Sequence, residues 1–107
     1  MKDAQLLILD CPLCELFLNP KENINGKLYW PESIEDVPNS EFVILEYETS
    51  KLPMLVLNEH IVDITRECWG RILYRCRIVF GNNVRLKKDM QFVHDHLHYY
   101  IQPPKKY

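Results

Sequence analysis

Phe92-Val93-His94-Asp95-His96-Leu97-His98-Tyr99-Tyr100-Ile101 is the stretch on which the reading of this chain turns. Three of the four histidines in the protein fall here, at alternate positions. Side chains alternate faces along an extended strand, so a period of two sets His94, His96 and His98 in one row. Val93, Leu97, Tyr99 and Ile101 take the opposite face, with Asp95 the one charged misfit among them. A row of imidazoles makes a poor hydrophobic surface but a versatile chemical one. It can ligate a metal, attack phosphorus or carbon as a nucleophile, or pass protons near neutral pH. A merely solvated or metal-scavenging row is the plain alternative.

Around that strand, composition sets the bounds. A length of 107 residues predicts one domain, 1–107, with 1–10 and 103–107 peripheral to it. Hydrophobic content of 47% with 26% charged residues is ordinary for a folded domain. No window approaches the ~18 apolar residues needed to cross a bilayer. The run Leu6-Leu7-Ile8-Leu9 is too short for a signal-peptide core and is flanked by Asp3 and Asp10. The expectation is a cytoplasmic protein with no membrane partner. Charge is unevenly divided: residues 1–59 hold 4 Lys/Arg against 11 Asp/Glu, and residues 60–107 hold 9 against 4. The basic half carries all four histidines, which suits an anionic substrate such as a phosphate ester. Solvated helix charges explain the same asymmetry equally well. No positive run is long enough for a nucleic-acid arm, so no specific nucleic-acid partner is expected.

Local patterns supply the elements. Asn25-Gly26 signals a turn into a short edge strand, Lys27-Leu28-Tyr29-Trp30, in an otherwise loop-rich stretch from Asn23 to Ser40. Phe42 to Tyr47 and Pro53 to Leu57 read as strands, the second apolar enough for burial on both faces. Their short connection predicts antiparallel pairing. Thr65 is placed to cap a helix that runs to Phe80 and stops at Gly81. Its apolar stripe, Trp69, Ile72, Leu73 and Cys76, is expected to pack against Val56 and its neighbours. Val84-Arg85-Leu86 then hairpins into the histidine strand. The fold class is α+β: an antiparallel sheet of four to five strands with one main helix on it.

The cysteines divide. Cys68 and Cys76 sit in the helical pattern and read as small apolar residues. Cys11-Pro12-Leu13-Cys14 is a Cys-x-x-Cys pair ahead of a short helical turn that Asn19-Pro20 ends. A redox pair would want a long helix after it, so half of a zinc knuckle is the better use of these thiols. Two imidazoles would complete a tetrahedral site, with His60, just past the second strand, and His94 as candidates.

The order of Cys-x-x-Cys, apolar strand then His60, long helix, then His94-Asp95-His96-Leu97-His98-Tyr99-Tyr100 resembles the histidine triad (HIT) superfamily of nucleotide hydrolases and transferases. The similarity covers roughly residues 11–102. It implies a HIT-like fold and a zinc ion held by Cys11, Cys14, His60 and His94. It further implies His96 as the nucleophile that forms a nucleotidyl-histidine, and His98 assisting the phosphate and leaving group. The Gly-Gln-Ser/Thr phosphate-binding segment of the family is replaced by Lys88-Asp89-Met90-Gln91, where Gln91 stands in one position out of register. The substrate implied is a nucleoside phosphoramidate or dinucleoside polyphosphate, with a purine nucleotide or its conjugate as partner and a homodimer as the assembly. The other reading is a zinc-stabilised HIT-like module that binds a nucleotide or a protein and does little chemistry.

Overall fold

Thr65 and Gly81 bracket the longest helix among the described residues. The Thr65 hydroxyl oxygen accepts from the Cys68 amide at 3.1 Å, and Glu67 lies in the positively polarised first turn. The computed structural model describes residues 11–48, 52–61, 63–88 and 96–102. Its elements run α1 (Pro12–Leu18), α2 (Pro20–Asn23), β1 (Gly26–Trp30), a 3-10 helix (Ile34–Asn39), β2 (Phe42–Tyr47), β3 (Met54–Leu57), α3 (Arg66–Phe80), β4 (Arg85–Lys88) and β5 (His98–Gln102). The strands form one five-stranded sheet in the order β1-β2-β3-β5-β4, antiparallel at every pairing. This is the α+β arrangement read from the sequence, at the upper end of its strand count.

Strand alternation then builds two cores. On one face Phe42, Ile44, Leu55, Leu57, Leu97 and Ile101 meet Cys68, Ile72 and Cys76 of α3. On the other, Val43, Leu45, Met54 and Val56 meet Leu13, Cys14, Leu16 and Phe17 of α1, with Cys11 and Val37 beside them. Because helices cover both faces, all of β3 and the first four residues of β2 are buried, which is why they read as unbroken apolar runs. Val56 was expected beneath the long helix and is instead on the α1 face. Its neighbours Leu55 and Leu57 meet α3, as the period of two requires. Burial pushes the Cys76 thiol up to about 11, so it stays protonated and packs as an apolar group.

Other boundaries differ from the sequence reading. The turn after the cysteine pair is a full helix beginning at Pro12, with proline at its first position, and a second short helix follows at Pro20. The loop-rich stretch contains a 3-10 helix whose start is capped by Ser33, its hydroxyl accepting from the Glu35 amide at 3.3 Å. The histidine stretch is described from His96 onward, and it is strand only from His98, with His96 and Leu97 ahead of β5. Residues 92–95, with His94 and Asp95, lie outside the described residues, as do Gln91, the N-terminal run 1–10 and the tail 103–107. No helix among the described residues is long and apolar enough to cross a membrane.

Ile72 is completely buried under the sheet, whereas Ile78 on the same helix is 55% exposed. Ile72→Ala should therefore cost about 2–5 kcal/mol in chemical denaturation, while Ile78→Ala should stay within about 0.5 kcal/mol. Equal losses at the two positions would contradict this placement of α3.

Candidate metal centre

The two knuckle cysteines owe their approach to α1. Cys11 is the residue capping that helix and Cys14 lies one turn on, so a spacing of three brings both thiols to the same side. Leu13, Leu16 and Phe17 anchor the helix in the core, leaving Cys11 4% and Cys14 0% exposed. Sulfur is thus delivered to the sheet by ordinary hydrophobic packing.

His60 comes from the turn that leaves β3. Asn58, buried at the head of that turn, braces it: its side-chain amide donates to the Pro38 and Ser40 carbonyls at 3.0 and 2.7 Å, and its backbone amide donates to the Glu41 carbonyl at 2.8 Å. His96 arrives from the other side, two residues ahead of β5. The Leu97 amide donates to the Ile61 carbonyl at 2.6 Å, tying the two arms together beside the imidazoles.

The result is a cluster of Cys11, Cys14, His60 and His96 whose ligand atoms all lie within 4.8 Å of one another. The Nδ1 atom of His96 is 3.4 Å from Cys11 Sγ and 3.3 Å from Cys14 Sγ, and His60 Nδ1 is also 3.3 Å from Cys14 Sγ. A tetrahedral ion with bonds of about 2.3 Å to sulfur and about 2.0 Å to nitrogen would separate such donors by roughly 3.5 Å. The set therefore fits a single metal ion, and two thiols with two imidazoles is a donor set consistent with zinc.

His96 is oriented for this task. Its Nε2 lies 2.6 Å from the Leu57 carbonyl oxygen, which can only accept, so the proton is assigned to Nε2 and the lone pair to Nδ1. A backbone carbonyl holding the far nitrogen of a metal-ligating histidine is the usual outer-shell partner. His96 was expected to stand free as a nucleophile, yet its side chain is completely buried and both ring nitrogens are engaged. The cause is register: Val56 pairs with His98, so His96 falls beside the end of β3, where the chain turns toward His60. His94, expected as the fourth ligand, lies outside the described residues; among the described ones, His96 stands with Cys11, Cys14 and His60.

His98 occupies the next place on the same face and differs in kind. Its Nδ1 lies 3.0 Å from the His96 carbonyl oxygen, which assigns the proton to Nδ1 and leaves the lone pair on Nε2. Its ring packs edge-on to Tyr100 with centroids 6.0 Å apart. Tyr47 is close by on the sheet; burial, reinforced by the neighbouring Tyr100 phenol, pushes its hydroxyl pKa up. The two histidines thus carry opposite tautomers two residues apart. Asn58 and the Leu57 and His96 carbonyls were missed from sequence because backbone acceptors and register leave no mark in residue identity.

A groove of about 790 Å³ lies on the other side of the molecule, lined by Trp30, Glu41, Arg71, Tyr74 and Arg75 among others. The Arg75 guanidinium stacks 3.8 Å over the Trp30 ring there, and Arg71 pairs with Glu41 at 2.7 Å. It holds neither cysteine nor histidine, so the cysteine–histidine cluster and this groove are separate. No protein-family model, curated protein or solved structure matches the chain.

His96→Ala should release bound metal and lower stability by at least about 2 kcal/mol, because ligand loss and a core cavity act together. Elemental analysis beside thermal unfolding measures both, and full metal content in a Cys14→Ser/His96→Ala double variant would refute the centre.

Proposed function

We propose that this chain is a HIT-like domain stapled by one zinc ion, and that His98 is the nucleophile of a nucleotidyl hydrolase or transferase. The observation that carries the reading is the bond from His98 Nδ1 to the His96 carbonyl, which turns Nε2 away from that contact as the nitrogen for attack. The family pattern that the sequence resembles places a metal-binding histidine, a nucleophile and a third triad residue at two-residue intervals. With His96 among the metal-binding residues, that frame moves on by two, and the nucleophile falls on His98 and the third place on Tyr100.

Zinc is the ion of choice because thiolate and imidazole donors together, all buried or half-buried, suit a closed tetrahedral structural site. When bound, it stabilises the fold and holds the knuckle against the sheet. The chemistry belongs to the side chains beyond it. Nε2 of His98 attacks the α-phosphorus of a nucleotide; the P–N bond forms while the bond to the leaving group breaks, and the leaving group departs with the electron pair. Water then cleaves the nucleotidyl-histidine, returning a nucleoside monophosphate and the free imidazole. The His96 carbonyl steadies the ring as positive charge develops on it.

A second reading is favoured by the burial of His98, which is only 4% exposed. On that reading the domain binds a nucleotide or a protein and does little chemistry. The two separate cleanly. His98→Asn should abolish release of adenosine monophosphate from adenosine 5′-phosphoramidate, at least a thousandfold in kcat, while zinc content stays at the wild-type level. Wild-type protein that binds adenosine monophosphate but turns over neither a phosphoramidate nor a diadenosine polyphosphate would decide for the binding module.

A further inference from the structure

Strand pairing places charge next to His98. Residues directly opposite one another on neighbouring strands share a face, and β4 pairs with β5 so that Lys87 lies opposite Tyr100 and Arg85 opposite Gln102. Alternation along β5 puts His98, Tyr100 and Gln102 on the metal-bearing face, while Tyr99 and Ile101 face α3. Lys87 and Arg85 therefore extend the His98 row sideways onto the edge strand. Both are exposed, and neither forms an ion pair with a described residue. The residues of β3 paired with this row, Met54 and Val56, are apolar, so the charges beside it come from β4. That contrasts with the acidic character of the chain's first half.

We propose that Lys87 and Arg85 form an anion site that receives a phosphate chain extending from His98. The identity of the attached nucleotide rests on the function proposed above; the anion site rests on the sheet register. Same-face residues along a strand are about 7 Å apart and paired residues about 5 Å, so Lys87 begins roughly 8–9 Å from His98 across the sheet. A short phosphate chain bridges that gap, with the Lys87 ammonium as a mobile point charge and the Arg85 guanidinium as a two-pronged donor at its far end. In the transfer step the bond from His98 Nε2 to the α-phosphorus forms as the bond from that phosphorus to the bridging oxygen breaks. The electron pair leaves on the polyphosphate oxygen, and the two cations neutralise the charge that builds there. An amine leaving group would have no use for them.

The test compares wild type with a Lys87→Gln/Arg85→Gln double variant whose zinc content and circular dichroism match wild type. Inorganic tripolyphosphate, titrated calorimetrically at low ionic strength, should bind wild type and lose at least tenfold in affinity in the variant. The wild-type affinity should also fall steeply with added salt, because both groups are exposed. In turnover, the ratio of kcat/KM for diadenosine tetraphosphate to that for adenosine 5′-phosphoramidate should drop at least tenfold. Equal tripolyphosphate affinity in the two proteins, or none in wild type, overturns the anion site, and the charges then only guard the edge strand against pairing. An unchanged substrate ratio overturns its role in catalysis. If neither nucleotide is turned over but tripolyphosphate affinity falls as stated, the anion site stands and the nucleotidyl function falls.

Discussion

One imidazole holds the architecture together. His96 bonds through Nε2 to the Leu57 carbonyl at the end of β3 and presents Nδ1 to two thiols carried by α1. Hydrophobic contacts alone would bring α1 to the sheet, since Leu13, Leu16 and Phe17 are all nearly or fully buried against it. Such contacts are not directional. Ligation fixes direction, because sulfur and nitrogen must converge on a point. For an ion held by such a cluster in a domain of this size, the free energy of binding would be in large part free energy of folding.

The same constraint reaches His98 without any further residue. His96 contributes its ring to the cluster and its carbonyl to the neighbouring ring, so a shift of the cluster would move the acceptor that sets the His98 tautomer. Two backbone carbonyls, those of Leu57 and His96, thereby sort a repetitive run of histidines into different chemical species. One turns Nδ1 toward the two thiols and the other turns Nδ1 toward a backbone carbonyl. A period of two in the sequence makes these residues neighbours; the acceptors beside them make them unlike.

Much of the frame could be read from residues alone. Helix α3 announced itself through its cap, its spacing and its glycine stop, and β2 and β3 through apolar runs that no solvent-facing strand would show. The cysteine pair and His60 were recognisable as ligand types, and they do stand together. Register was not readable. Whether His94 or His96 reaches the thiols depends on how β5 slides along β3, and each position in a row of alternating histidines looks alike until Val56 is known to pair with His98. Val56 was misplaced for a related reason: in a strand buried on both faces every residue is apolar, so nothing in its composition tells which neighbour each side chain meets.

The cluster also sets an order of events. Cys11 and His96 are 85 residues apart, and Cys14 and His60 are 46 apart, so the cluster joins segments distant in sequence. During synthesis the two thiols emerge early and His60 midway, but the last imidazole follows only after α3 and β4 have been made. A partial set of three donors is open to water and exchanges its ion; closure waits for β5 to take its place between β3 and β4. Tight capture of an ion at this cluster would therefore be a late step, one that follows completion of the sheet.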